Sequence, residues 1–321
     1  MNTEKRRNRE PFSNAPLLCG SVLNRSLRHL RERIMVTTLR VIATLVTVAL
    51  STGCATQPAE APARAVDARR PVVVQGAMGV EVDQLATSLA NVSEEKIQGW
   101  TFWRGTIDGH PVVVSKTLKG LANAAAATAI AAERYRPVAI INQGTAGGHE
   151  PGLHVFDIVV GTESVNLGSF KTGFRARGAG SNLAEWAPLD LMRSDGSAGN
   201  DPTARNMRRF RGDEALLAAA RTARGTYQKG RVVEGVIGSS EIWNSEIDRI
   251  ERFHTEFGTT AEEMETAAAA QIAGLFQIPF LGIRVVSNNI TNGGAYDGKS
   301  AEACQEFVVD VVKAYVAARP K

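Results

Sequence analysis

Four short segments of the 321-residue chain hold side chains suited to acid–base work and to gripping a polar ligand. They are Gly76-Ala-Met-Gly-Val-Glu81, Asn142-Gln-Gly-Thr-Ala-Gly-Gly148, Glu262-Glu-Met-Glu-Thr266 and Arg284-Val-Val-Ser-Asn288. Glu81 follows a glycine turn at the end of an apolar run, and a carboxylate at a strand-end turn is placed to act as a general base. The same position also suits an acid in the first turn of a helix, where it complements the helix dipole. Glu263 stands three residues after Thr260, the spacing of a capping box, which leaves Glu265 as the freer carboxylate of its run. The glycines around Thr145 permit a tight turn or a close backbone approach. Met78 and Met264 serve equally as core or as an apolar wall.

These segments need a scaffold that brings them together, and the hydrophobic pattern supplies one. Strands are predicted near 71–75, 100–107, 111–115, 137–142, 156–160, 231–238 and 279–286. Asp108-Gly109 between two of them is a hairpin signal. Helices are predicted near 82–89, 120–134, 213–224, 261–275 and 300–318, with Thr260 as N-cap of the fourth. Residues 164–212 are polar, show little periodicity and read as a long excursion within a single domain spanning 71–321. Alternation of this kind predicts an α/β fold, a three-layer α/β/α sandwich around a mostly parallel, twisted mixed sheet. Ligands of such sheets bind at the carboxyl ends of the strands, where Gly76–Met78, Gly144–Gly148 and Ser287–Asn289 would meet.

In order and spacing, the four segments resemble the nucleoside phosphorylase/nucleosidase superfamily, most closely the methylthioadenosine/S-adenosylhomocysteine nucleosidases. The resemblance runs from about residue 72 to 318. It implies cleavage of the N-ribosidic bond of a purine nucleoside through an oxocarbenium-like state. On that reading Glu81 activates the attacking water and Glu265 grips the ribose 2′- and 3′-hydroxyls. Met78 and Met264 pack on the sugar, and Thr145, Ala146 and Gly147 approach the ribose or the water. Ile242 and Trp243 lie along the purine, Arg284 matches a strand arginine of the family and is counted with the substrate-binding residues, and no cofactor or metal is implied. A homo-oligomer, most often a dimer, is implied as well.

Two departures bear on the reaction. Bacterial purine phosphorylases carry an arginine where this chain has Asn142, and the Gly76 turn offers Glu81 in place of a cation that would clamp phosphate. Hydrolysis is therefore expected over phosphorolysis. The nucleosidases carry an aspartate where this chain has Asn288. That acid gives a proton to the leaving base, and an amide donates a hydrogen bond but transfers no proton. Three outcomes follow: selection of a 6-oxopurine, a substitute acid such as Asp297, or a protein that mainly binds nucleosides.

Composition closes off other classes. No GxSxG elbow, Walker motif, CxxC pair or strand-following GxGxxG occurs, and five histidines show no metal-ligand spacing. The net charge of +4 invites a polyanion, but residues 1–34 alone hold eight basic and three acidic residues. Residues 55–321 hold 28 basic and 30 acidic residues, so nucleic-acid binding is not expected. Residues 1–34 read either as a stretch before the true start at Met35 or as a long basic n-region. Residues 35–54 read as a signal peptide, with an apolar run at Val41–Leu50 and then Ser51-Thr-Gly-Cys54. That ending resembles a bacterial lipoprotein box, the other reading being a plain secretory signal. Membrane attachment is expected only through a lipid on Cys54, with residues 55–70 as a flexible tether and the periplasm as location.

Overall fold

The apolar run after Pro71 forms β1 (Val72–Gly76), and all five of its residues are buried. Val72 and Val74 pack into one hydrophobic cluster and Val73 into another, the period-two alternation of a strand with both faces covered. The computed structural model describes residues 70–193 and 205–319. The basic segment 1–34, the signal-like run with Cys54, the tether up to residue 69 and residues 194–204 of the polar stretch lie outside the described residues.

From Gly76 the chain turns into α1 (Gly79–Ser88), then β2 (Ala90–Ile97), β3 (Trp100–Ile107) and β4 (His110–Lys116). Asp108 and Gly109 take φ of 47° and 73°, the paired positive values of a tight hairpin. β2 has no counterpart among the predicted strands. It is an edge strand with six of its eight residues exposed, so no apolar alternation announces it. Next come α2 (Leu121–Tyr135), β5 (Ala139–Gly148) and β6 (Ile158–Asn166). β5 runs straight through the glycine-rich segment, where a turn was expected.

The polar stretch holds β7 (Phe170–Lys171), β8 (Ala187–Pro188), β9 (Leu191–Arg193), β10 (Arg205–Met207) and β11 (Arg209–Arg211). β7 with β8 and β9 with β10 form two small ribbons, while β11 returns to pair with β6 in the main sheet. The stretch is thus anchored at both ends rather than a wholly separate excursion. The chain finishes with α3 (Glu214–Ala223), β12 (Val232–Ser239), α4 (Ile247–Phe257), β13 (Thr259–Glu263), α5 (Thr266–Leu275), β14 (Phe280–Asn288) and α6 (Ser300–Ala317).

The helix predicted over 261–275 begins late. Thr259–Glu263 is a fully buried strand, parallel to β12 and antiparallel to β5. Pairing on both edges outweighs the helical spacing of these residues, and Thr260 is no N-cap. Glu263 does cap the helix, but from outside it, through the backbone N–H of Glu265 at 2.9 Å and of Thr266 at 3.0 Å.

Among the described residues ten strands form the main sheet, with β1 parallel to β4 and β5 at its centre. Beyond β5 the sheet closes on itself. β5 pairs with β14, β14 with β6, β6 with β12, β12 with β13, and β13 again with β5. Leu85 of α1, Leu216 of α3 and Phe307 of α6 cover one face, and Ala131 of α2 with Ala269 of α5 covers the other. This is the expected α/β/α layering, with a five-strand ring at one end.

Candidate active site

Glu81 sits in the first turn of α1 and is buried. Its Oε2 accepts from the backbone N–H of Ala77 at 2.9 Å and of Met78 at 3.1 Å. Its Oε1 accepts from the N–H of Thr145 at 2.8 Å and from the Thr145 hydroxyl at 2.9 Å. Glu81 thus caps α1 and also lines the cavity. Gly144 makes this possible. Its φ is +157°, and a Cβ there would stand 2.7 Å from Glu81 Oε1.

Glu265 lies at the entry to α5, buried, and accepts from the backbone N–H of Gly120 at 2.8 Å. Gly120 takes φ of +97° at the start of α2, a conformation that aims this N–H at the carboxylate. Burial and the neighbouring Glu263 push the Glu265 carboxyl up to about 8, against the opposing pull of Arg284 and of the Gly120 N–H. Glu265 is thus no solvent-facing acid of the helix but a buried one at its entry.

Arg284 on β14 is only 2 % exposed. Its guanidinium donates to Glu263 Oε2 at 2.5 Å and to Asn142 Oδ1 at 2.6 Å, and its Nη2 lies 4.0 Å from Glu265 Oε2. Unlike the other predicted site residues it does not line the cavity. The expectation of ligand contact is corrected: Arg284 is a buried counterion that fixes the acids from behind. Burial acts to lower its pKa, but the charges of Glu263, Glu265 and Glu81 outweigh that and raise it. Asn142 serves this arginine and offers no phosphate clamp.

The same cavity is lined by Met78, Thr145, Ala146, Gly147, Ile242, Trp243, Met264 and Asn288. Trp243 and Ile242 form an exposed rim, at 72 % and 44 % exposure. Asn288 closes β14, its Oδ1 3.2 Å from the Ser287 hydroxyl. Asp297, the substitute acid considered above, does not line the cavity. Its carboxylate instead accepts from the Lys299 N–H at 2.9 Å, just ahead of α6.

Sequence reasoning gives no role to five polar residues that line the cavity, Lys119, His149, Asn244, Glu262 and Tyr296. His149 directly follows the glycine pair, and Glu262 opens the acidic run, but only the folded strands bring them together. Glu262 accepts from the Ser240 hydroxyl at 2.6 Å, Asn244 Nδ2 at 2.8 Å and His149 Nε2 at 3.1 Å. Burial alone would raise its carboxyl. The hydrogen bonds from His149, Ser240 and Asn244 outweigh burial and hold it below the ordinary value.

A family model described as the phosphorylase superfamily matches residues 71–317. A 5′-methylthioadenosine/S-adenosylhomocysteine nucleosidase of Anoxybacillus flavithermus is 33% identical over 218 residues, covering 68% of this chain and 84% of the relative. The crystal structure of the nucleosidase of that name from Neisseria meningitidis, in complex with methylthio-immucillin-A, superposes with a TM-score of 0.61. It is 27% identical, over 76% of this chain and 99% of the other. Futalosine hydrolase of Helicobacter pylori, at 21% identity and a TM-score of 0.60 over 76% of this chain and 97% of the other, shares the fold. Taken with the buried acids gathered at one end of the sheet, these matches show that the chain belongs to the phosphorylase superfamily and, within it, to the purine nucleosidases.

Proposed function

We propose that this nucleosidase hydrolyses the N-ribosidic bond of a purine nucleoside with Glu81 as the base that activates water. The nucleosides in its relatives' names, methylthioadenosine and S-adenosylhomocysteine, are the first to test, beside their 6-oxopurine counterparts. One observation carries the reading: Glu81 and Glu265, fixed by backbone donors, open into one cavity walled by Met78 and Met264. The bond from C1′ to the base breaks with its electron pair leaving on the base. Water then adds to C1′ and passes a proton to Glu81. Glu265 holds the ribose hydroxyls, and the Glu81 carboxylate beside the sugar favours the cationic transition state.

All four acceptor sites of the Glu81 carboxylate are occupied in this structure. The Thr145 hydroxyl is the donor free to rotate, so it is the one that gives way to water. Four carboxylates line the cavity, at Glu81, Glu262, Glu263 and Glu265. Glu265 is held neutral among them and Lys119 also lines the cavity, but acids outnumber cations there and disfavour a phosphate dianion, which supports water as the nucleophile.

A second reading rests on Asn288. With an amide at the cavity wall and Asp297 turned elsewhere, the site favours a 6-oxopurine, or binding with slow turnover. The test is release of free base from methylthioadenosine, S-adenosylhomocysteine, adenosine, inosine and guanosine, with and without phosphate. Release without phosphate is the expected result. A phosphate requirement overturns hydrolysis, and tight binding without release overturns catalysis.

A periplasmic lipoprotein anchored at Cys54 is part of the same proposal, supported by the apolar run Val41–Leu50 and the polar tether. So is a homodimer, supported by the family resemblance. Detergent partitioning of the full chain and its mass in solution check the two.

A further inference from the structure

The cluster at Glu262 has no part in the mechanism above. It joins β5, β13 and the segment after β12, and three of its four members open into the cavity. In the sheet, Glu262 of β13 stands opposite Gly147 of β5, and Asn288 of β14 stands opposite the same glycine on its other side. Directly paired residues project from one face. The three therefore form a row, with a carboxylate at one end and an amide at the other, two strand spacings or roughly 10 Å apart. The middle of the row is bare. A Cβ on Gly147 would find nothing nearer than Asn288 Nδ2 at 3.7 Å, so the glycine leaves an open floor on which a planar base can lie.

Stability alone does not account for Glu262. A buried ion pair is weak evidence for stability, and apolar residues would join β5 to β13 as well. Here Ser240, His149 and Asn244 hold the carboxylate in one orientation at the cavity wall. An ionised carboxylate only accepts hydrogen bonds. N1 of a 6-oxopurine carries a hydrogen, whereas N1 of a 6-aminopurine is a bare lone pair. At the other end of the row, the Asn288 amide is able to donate to O6 or N7.

Resting on the nucleosidase reading, we infer that Glu262 reads the N1–H edge of the base and makes the site selective for 6-oxopurine nucleosides over 6-aminopurine nucleosides. Both edges of the base then meet a complementary group, and the 6-amino analogue leaves a buried carboxylate facing a lone pair.

The experiment uses the full chain and compares kcat/KM for methylthioinosine with methylthioadenosine, and for inosine with adenosine, so that the sugar is held constant. The wild-type protein is expected to favour the 6-oxo member by about tenfold or more. Glu262→Gln, which offers N1 of adenine a donor, should shrink that ratio by roughly ten- to hundredfold. A wild-type preference for the 6-amino member overturns the proposal, as does a ratio unchanged in a folded Glu262→Gln. Should that variant fail to fold, the wild-type ratio and calorimetric binding of hypoxanthine against adenine decide the matter, and adenine binding equally or better overturns it. If no nucleoside releases base, the nucleosidase reading fails on its own. The order of free-base binding then still decides the assignment of Glu262.

Discussion

The two ends of the cavity are built by different means. At the end proposed to take the ribose, the acids are held by backbone N–H groups in every case. Glu81 takes N–H groups from Ala77, Met78 and Thr145, Glu265 takes that of Gly120, and Glu263 takes those of Glu265 and Thr266 together with the Ser239 hydroxyl and the Arg284 guanidinium. At the end proposed to take the base, Glu262 is held by side chains alone, those of Ser240, His149 and Asn244. Backbone donors come with the fold and survive most substitutions around them. Side-chain donors are exchanged one at a time. The contrast separates a chemistry fixed by the fold from a base preference set by replaceable groups.

The largest effect should come from the fixed end. Glu81→Gln keeps the size of the side chain and removes the base, so kcat should fall about 10³-fold with little change in melting temperature. Turnover within tenfold of wild type would remove Glu81 from its role. At the exchangeable end, Asn288→Asp adds a group able to transfer a proton. Cleavage of methylthioadenosine should rise by about 10²-fold, with the gain in kcat rather than in KM. No gain would mean that the amide is not what limits 6-aminopurine cleavage.

Glu265 offers a test at the ribose end that reads stability. Its carboxyl is raised from 4.5 to about 8 in the folded protein. The folded state therefore binds the proton more tightly than the unfolded chain does. The contribution is whole below about pH 4.5 and fades as pH climbs to about 8, on the order of a few kcal/mol at most. The melting temperature should decline across that window, and Glu265→Gln should flatten the decline while lowering kcat/KM about tenfold. A pH profile identical in wild type and Glu265→Gln would count against the buried neutral acid.

Much of this was legible in the sequence. β1, β4, β12 and β14 announced themselves as apolar runs, and the four motif segments named Glu81, Glu265 and Asn288. The rest depends on partners distant in the chain. β2 is too exposed to carry a pattern, and β13 reads as helix until β12 and β5 claim both its edges. Family resemblance places Arg284 among the substrate-binding residues, and only its burial against Glu263 and Asn142 shows otherwise. His149 and Glu262 are 113 residues apart, and nothing local in either position predicts their pairing.

The five-strand ring also bears on how the protein moves. A sheet that closes on itself has no free edge from which to fray, so β5 and β14 cannot peel open to admit a ligand. Their amide protons should be among the last to exchange with solvent. Entry and product release then fall to the rim, where Ile242, Trp243 and Tyr296 stand exposed on connecting segments. The ring thus holds Thr145, which fixes Glu81, and Asn288 on its most tightly paired strands, and leaves the passage of substrate to connecting segments.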